Sequence, residues 1–379
     1  MNDQQGESQR NEWQQDVPQR DGPQYSAFGF DGSWKEYAPI AFTNLLLTIV
    51  TLGIYRFWAT TRSRRYFWSR TRFVDERLEW TGTGKELFLG FIMAVLLLGA
   101  PLLFIQFGAQ AMILRGMADI AALLSMLSFL AIFYLMGVAR FRALRYRLGR
   151  TYWRGIRGGS DDAGFGYGWS YMWKTTVGML PASLLVPWSM TELWNNRWNK
   201  MSFGSQNFTA DARAMSVFWR FLLFYLLPFI MVALITFVSM TSGGMVEMMR
   251  GGAGGPPPVA FILTIIGAIF GFYILLGLIA LAYYAAFLRE AIGSLSLGQL
   301  DFGFEAKTID WLKLFFGDVL LVVCTLGIGW IFLQYRHWKF FITHMESYGV
   351  VDPEALTQST TQLSRHGEGL LDALDVGAF

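Results

Sequence analysis

The sequence predicts an all-α polytopic membrane protein, and three observations predict this class. First, 53% of the 379 residues are hydrophobic and 16% are charged, which is too apolar for an ordinary soluble domain. Second, several uncharged apolar windows of about 18 residues or more are long enough to cross a bilayer. Third, arginine and aromatic residues alternate at the ends of apolar segments, as they do at membrane interfaces.

The apolar segments fall into two classes. The first class comprises four predicted transmembrane helices, at 87–114, 120–139, 217–240 and 257–288. The second class comprises three short segments that contain glycine or proline, at 39–55, 175–191 and 314–333. Each short segment leads to a tryptophan and arginine cluster, beside which we expect short strand-like elements at the cytoplasmic face.

Two topologies remain open from the sequence. If every short segment crosses the membrane, the chain has seven spans; if each segment enters and returns on the same side, it has four. The first short segment, at about 17 residues, is at the lower limit for crossing. The shared composition of the three tryptophan and arginine clusters favours the second topology, because it indicates one common environment.

We expect a single integral membrane domain at 25–349. It lies between a tail at 1–24, which is too polar to form a core and is expected to be disordered, and a mostly polar tail at 350–379.

Short motifs recur within this domain. The run Thr51-Leu-Gly-Ile returns at 325–328, and Pro187 lies at the corresponding place between the two copies. Phe-Gly-aromatic motifs begin at Phe28, Phe165 and Phe302. This recurrence predicts an internal repeat of about 137 residues. Its units are expected near 28–160, 165–298 and 302–349.

Two blocks of seven arginines each, at 56–77 and 139–159, place their loops on the cytoplasmic side of the membrane by the positive-inside rule. A candidate site for an anionic lipid or solute is formed by Arg62, Arg64, Arg65, Tyr66, Arg142 and Arg145. The alternative is a belt of cations that sets topology and binds anionic headgroups without specificity.

Two polar residues lie within short apolar segments, Asn44 and Asp318. An intramembrane carboxylate is a functional candidate by default, although Asp318 is near a helix end and could reach water. Asn44 is expected to bond a neighbouring helix or backbone.

With these residues in view, the chain resembles the YjgN family of bacterial inner-membrane proteins, a family of unknown function. The resemblance is carried by Thr51, Leu52, Gly53, Ile54, Tyr55, Trp58, Gly82 and Gly84. It implies an inner-membrane location and a multi-pass architecture, and it supplies no activity.

The remaining chemistry is sparse. Gly82-Thr-Gly-Lys85 lacks the first glycine and the final Ser or Thr of a phosphate-binding loop. The three histidines, His337, His344 and His366, have no carboxylate or cysteine at metal-ligand spacing. We therefore expect no enzyme, no cofactor, no metal site and no nucleic-acid partner.

Two function classes remain. One is a transporter- or channel-like permease for an undetermined solute. The alternative is a non-transporting envelope protein that binds anionic phospholipid or scaffolds partners through its arginine-aromatic belt. The sequence leaves the oligomeric state open.

Overall fold

A computed structural model describes residues 27–180, 182–241, 259–349 and 356–361. The predicted disordered tail at 1–24 and most of the polar tail at 350–379 lie outside the described residues.

The described chain is mostly helical. In chain order the helices are α1 (Trp34–Val50), α2 (Arg56–Ser69), α3 (Gly84–Ala94), α4 (Ala100–Leu114), α5 (Ala118–Arg150), α6 (Phe165–Met179), α7 (Val186–Trp198), α8 (Ala214–Phe221), α9 (Leu223–Thr241), α10 (Val259–Gly293), α11 (Thr308–Cys324) and α12 (Leu333–His344). A π-helical turn, Val95–Gly99, joins α3 to α4, and a 3₁₀ turn, Ile328–Phe332, precedes α12.

Three described helical stretches are long and apolar enough to cross a membrane: Ala118–Arg150, Ala214–Leu234 and Ile266–Gly293. The predicted span at 87–114 is divided by the π-helical turn, and α4 alone is shorter than a typical span.

The short strand-like elements pair into two antiparallel sheets, so the described chain is mostly helical but not all-α. The strands are β1 (Phe28–Phe30), β2 (Thr71–Phe73), β3 (Glu76–Arg77), β4 (Glu79–Trp80), β5 (Thr151–Trp153), β6 (Ile156–Gly159), β7 (Ser202–Phe203), β8 (Gln206–Ala210), β9 (Leu295–Leu297), β10 (Leu300–Phe304) and β11 (Met345–Gly349). Strands β1–β3 form one sheet, and β4–β11 form an eight-stranded sheet in chain order. The sequence did not reveal these sheets because the strands are short and most partners are distant along the chain.

The sheets anchor the helices in groups of two or three, and the helices of each group lie between two adjacent strands. Each group leaves the sheet from one strand and returns to the adjacent strand: Phe30 pairs with Thr71 across α1–α2, and Trp80 with Thr151 across α3–α5. The same holds for β6 and β7 across α6–α7, for β8 and β9 across α8–α10, and for β10 and β11 across α11–α12. Each of these helical pairs or groups therefore begins and ends at adjacent strands of one sheet. Three of these pairs are short, and we call them hairpin 1 (α1–α2), hairpin 2 (α6–α7) and hairpin 3 (α11–α12).

Hairpin 3 packs directly on hairpin 1. The Trp338 indole stacks on Trp68 with 4.3 Å between ring centroids, and its Nε1 donates to Thr71 Oγ1 at 2.9 Å. Tyr335 OH donates to the carbonyl oxygen of Gly32 at 3.0 Å. Hairpins that are distant along the chain are thereby held together by aromatic side chains.

Candidate functional site in the helical hairpins

The turns of hairpins 1 and 3 share one backbone geometry. Leu52 and Leu326 have φ of 51° and 50°, and Gly53 and Gly327 have φ of 90° and 91°. The left-handed region suits glycine but costs a leucine about 1–2 kcal/mol. The repeated Thr-Leu-Gly sequence thus encodes a repeated, strained turn.

A threonine side chain closes each of these turns. Thr51 Oγ1 donates to the Leu47 carbonyl oxygen at 2.7 Å and accepts from Tyr55 N–H at 2.9 Å. Thr325 Oγ1 donates to the Leu321 carbonyl oxygen and accepts from Gly329 N–H, both at 2.6 Å. The hydroxyl supplies an acceptor for a backbone N–H beyond the turn, and it donates to a carbonyl oxygen that the threonine N–H also contacts.

Hairpin 2 has a comparable turn without the motif. Ala182 and Ser183 are its left-handed residues, with φ of 54° and 67°. Pro187, which the sequence pattern matched to Thr51, is instead the second residue of α7. Phe165 opens α6, whereas Phe28 and Phe302 lie in strands.

The tips of hairpins 1 and 3 are apolar and exposed. Leu52 and Leu326 are both 94% exposed, and Ile54 and Ile328 are both 53% exposed. Exposed large apolar side chains concentrated at the end of a helical pair are typical of a surface that contacts lipid or another protein.

A carboxylate lies between the two helices of hairpin 3. Asp318 on α11 accepts from Arg336 Nε at 2.6 Å, and its second oxygen lies 2.6 Å from His337 Nε2. Only 13% of the Asp318 side chain is exposed. The hairpin therefore holds an acid, a guanidinium and an imidazole in one cluster.

Hairpin 2 also holds an ion pair, but here the basic residue lies on the first helix and the acidic residue on the second. Lys174 on α6 donates to Glu192 Oε2 on α7 at 2.7 Å, and Lys174 is 7% exposed. Neither residue was singled out from the sequence. Their spacing of 18 residues across an unrecognised turn gave no local signal.

In hairpin 1 the corresponding buried polar side chain is uncharged. Asn44 is 7% exposed, and its Nδ2 donates to the Ala59 carbonyl oxygen and to Ser63 Oγ, both at 3.2 Å. Asn44 Oδ1 is buried without a hydrogen-bond partner among the described residues. Ser63 Oγ lies in turn 3.1 Å from Tyr37 OH.

These three polar groups occupy one position. Asn44, Lys174 and Asp318 each stand eight residues before the first left-handed residue of their turn. Arg62, Glu192 and Arg336 each stand ten residues after it. At about 1.5 Å per helical residue, this polar level lies roughly 12 Å from each turn.

The six residues of the predicted anion site do not share one environment. Arg64 is buried, with its guanidinium 5.1 Å from the centre of the Trp80 ring, whereas Arg62 and Arg65 are exposed. Arg142 Nε donates to the Ala163 carbonyl oxygen and Arg145 Nη1 to that of Asp162, both at 3.0 Å. The last two arginines are thus bonded to the loop that precedes α6.

Tyr66 lies at the base of hairpin 1. Its hydroxyl donates to the Ser33 carbonyl oxygen at 2.9 Å and accepts from Ser33 N–H at 3.1 Å. Burial raises the pKa of the Tyr66 phenol to about 12. Tyr66 therefore stays protonated and ties α2 to the start of α1.

The other motif residues pack around hairpin 1. Tyr55 and Trp58 stack with 6.3 Å between ring centroids. Gly84 begins α3 so close to α2 that a Cβ there would lie 2.7 Å from Trp58 Cα. A Cβ on Gly82 would lie 2.8 Å from the Trp80 ring. These glycines allow close approach of α2, α3 and β4, and they do not form a phosphate-binding loop.

A short stretch near the end of the chain, Leu356–Thr361, lies against β6. Arg157 is buried and donates to the carbonyl oxygen of Thr361, and Gln358 Nε2 donates to that of Gly155 at 2.7 Å. No sequence pattern indicated this contact. In the part of the chain that the structure describes, no group of three or more His, Cys, Asp or Glu side chains is placed to hold a metal ion.

Taken together, these features define a mostly helical protein with apolar helices long enough to cross a membrane, anchored in an antiparallel sheet. The chain belongs to the family described as "Bacterial protein of unknown function (DUF898)", whose sequence profile matches residues 25–373. The resemblance noted from the sequence is thereby confirmed.

Relatives of the chain are named "Inner membrane protein YjgN". The protein of Escherichia coli O157:H7 is 30% identical over 141 residues, 37% of this chain and 32% of its own length. That of Salmonella typhimurium strain LT2 is 26% identical over 157 residues, 41% of this chain and 36% of its own length. The chain thus matches about a third of the length of these relatives. No solved structure matches it.

Proposed function

We propose that the chain is an inner-membrane permease whose three short hairpins enter the bilayer and return. The observation that carries this proposal is the polar level shared by the hairpins, which lies roughly 12 Å below exposed apolar tips. Charged groups within a bilayer are costly unless they are paired or reach water, and they commonly mark polar pathways, which short broken helices build in transporters.

The eight-stranded sheet supports one common side for hairpins 2 and 3, and hairpin 1 packs on hairpin 3. Strands β4–β11 are hydrogen-bonded in a single row, and an open sheet does not lie in the hydrocarbon of a bilayer. Both arginine blocks and the β7–β8 hairpin adjoin this sheet, so the positive-inside rule assigns it to the cytoplasm. The proposed topology has four crossing segments, α3–α4, α5, α8–α9 and α10.

The hairpins also support an ancient internal repeat. The turn geometry of Leu52-Gly53 returns at Leu326-Gly327, and each hairpin is flanked by paired strands. In this proposal the equivalent positions of hairpin 2 follow its own turn at Ala182, so the spacing of the units is uneven.

Cysteine labelling tests the topology. On a Cys324→Ser background, we expect Glu76→Cys and Ser205→Cys to react with an impermeant maleimide only in inside-out vesicles. Met117→Cys, in the link between α4 and α5, should react only in intact cells. Reaction of Ser205→Cys from outside would establish seven spans instead.

A second labelling experiment tests the permease without knowledge of its solute. His337→Cys places a thiol at the polar level of hairpin 3, where the imidazole is 49% exposed. A permease exposes this level to water from both sides, so we expect labelling in both right-side-out and inside-out vesicles. Labelling from the cytoplasmic side alone would contradict a permease.

A second candidate function is a non-transporting envelope protein that holds anionic phospholipid. The specific observation in its favour is that Arg62 and Arg65 are exposed on α2 beside Trp58, the arrangement expected at a membrane interface. The same labelling experiment separates the two candidates, because this protein needs no pathway through the bilayer.

A further inference from the structure

The charges at the polar level balance in two hairpins and not in the third. In hairpin 3 Arg336 pairs with Asp318, and in hairpin 2 Glu192 pairs with Lys174. In hairpin 1 the corresponding pair is Arg62 and Asn44, and an amide carries no countercharge.

The position of Asn44 matches that of Asp318 in its contacts as well. Asp318 contacts both Arg336 and His337, and Asn44 contacts Ser63, which stands where His337 stands. A carboxylate at position 44 would therefore be within reach of Arg62. The amide found there uses its Nδ2 hydrogens within the hairpin and leaves its buried Oδ1 without a partner among the described residues.

Arg62 has no internal partner in the residues that the structure describes. Neither it nor Arg65, one turn further along α2, makes a hydrogen bond or an ion pair there. Both are exposed, and Trp58 lies four residues before Arg62 on the same helical face, 36% exposed. The face thus presents two free guanidinium groups beside an interfacial indole.

We propose that Arg62 and Arg65 form a binding site for a phosphate group, which supplies the countercharge that Asn44 does not. Guanidinium groups bind phosphate through paired N–H donors, and two of them one helical turn apart fit the oxygens of one phosphate. The phosphate belongs either to a lipid headgroup or to a small solute. This inference deepens the second candidate function and does not depend on whether the chain carries a solute.

The test restores the missing countercharge without removing an arginine. We expect Asn44→Asp to pair with Arg62 as Asp318 pairs with Arg336, and so to weaken phosphate binding about tenfold, the loss of one charge-assisted contact. Because a buried carboxylate could impair folding, Arg62→Gln with Arg65→Gln is the second variant, with the same expected loss. Arg72→Gln is the matched control, because it removes an exposed arginine of the same belt from β2 rather than from α2.

Two probes distinguish the source of the phosphate. Native mass spectrometry of protein released from nanodiscs of phosphatidylcholine with phosphatidylglycerol counts retained anionic lipid. Thermal unfolding in pure phosphatidylcholine nanodiscs with added inorganic phosphate reports a free anion. If the phosphate belongs to a lipid, Asn44→Asp and the Arg62 and Arg65 double variant retain less phosphatidylglycerol than the wild type, and inorganic phosphate does not change the Tm. If it belongs to a solute, inorganic phosphate raises the Tm of the wild type and not that of these variants.

The outcomes that overturn the site differ from those that overturn the candidate function. If the wild type retains phosphatidylglycerol and Arg72→Gln loses as much as the Arg62 and Arg65 double variant, the belt binds lipid without this site. If the wild type retains no phosphatidylglycerol and ignores inorganic phosphate, both the site and the lipid-binding function are wrong.

Discussion

Leu52 and Leu326 adopt the same left-handed backbone conformation at the tips of two hairpins, and each side chain is 94% exposed. A leucine in this conformation costs about 1–2 kcal/mol, and a glycine would avoid the cost. Packing within the described protein does not offset this cost for either side chain. Contact with hydrocarbon would offset it, since burying a leucine contributes about 1.5–3 kcal/mol.

The first prediction concerns these tips. Leu52→Asp, alone or with Leu326→Asp, should destabilise the protein in nanodiscs by about 3 kcal/mol per site, because a carboxylate would enter the hydrocarbon. The apparent Tm in nanodiscs is the measurement. Val74→Asp is the matched control: Val74 is also left-handed, with φ of 56°, and is exposed, but it lies in the β2–β3 turn. Equal effects at Leu52 and Val74 would mean that the tips do not enter the membrane.

The second prediction concerns the ion pair of hairpin 2. Lys174→Glu alone should destabilise the protein by about 1–3 kcal/mol, because it places a carboxylate at a buried position beside Glu192, whose own side chain is 40% exposed. Lys174→Glu with Glu192→Lys should recover part of this loss, since hairpin 3 accommodates the reversed order as Asp318 and Arg336. A double-mutant cycle on unfolding in nanodiscs is the measurement. If the double variant loses as much free energy of unfolding as the two single variants together, the two hairpin positions are not equivalent.

The sequence predicted what is encoded locally. The Thr-Leu-Gly runs at Thr51 and Thr325 produce matching turns because the geometry depends on a hydroxyl and two left-handed residues within five positions. The sequence did not indicate the position of the turn at Ala182 within the segment 175–191, because the Thr-Leu-Gly motif is not present there. The sheets were also missed, since Ala210 and Leu295 pair across helices α8–α10, and a local pattern cannot indicate such a distant pairing.

Which arginines are buried and which are exposed was predictable in part. Phe57, Thr61, Arg64 and Trp68 are buried, and they follow the period of a helix. With 3.6 residues per turn, that period places Trp58, Arg62 and Arg65 roughly a quarter of a turn around α2 from this buried face, so it separates Arg64 from its two neighbouring arginines. The bonds of Arg142 and Arg145 to the loop before α6 depend on tertiary structure and carry no such signal.

The third prediction concerns the close approach of α2 and α3. Gly84→Ala should destabilise the protein by about 1–3 kcal/mol, because the new Cβ would meet the Trp58 backbone and force the helices apart. Gly108→Ala is the matched control, since nothing lies within 4 Å of a Cβ there and alanine favours a helix. The apparent Tm of both variants is the measurement, and a Gly84→Ala protein as stable as the Gly108→Ala protein would contradict the packing.

The last prediction concerns Tyr66 and alkaline pH. Burial raises its pKa to about 12 from an ordinary value near 10, so between these values the unfolded chain releases a proton that the folded chain keeps. The unfolded state then binds fewer protons, and the free energy of unfolding falls as the pH rises through this window. Tyr66→Phe should lower stability at pH 8 by about 1 kcal/mol, because the bonds to Ser33 are lost, and should make the alkaline decline shallower. The apparent Tm between pH 8 and pH 11 is the measurement, with Tyr152→Phe on β5 as the control. An alkaline decline as steep in Tyr66→Phe as in the wild type would show that other groups cause it.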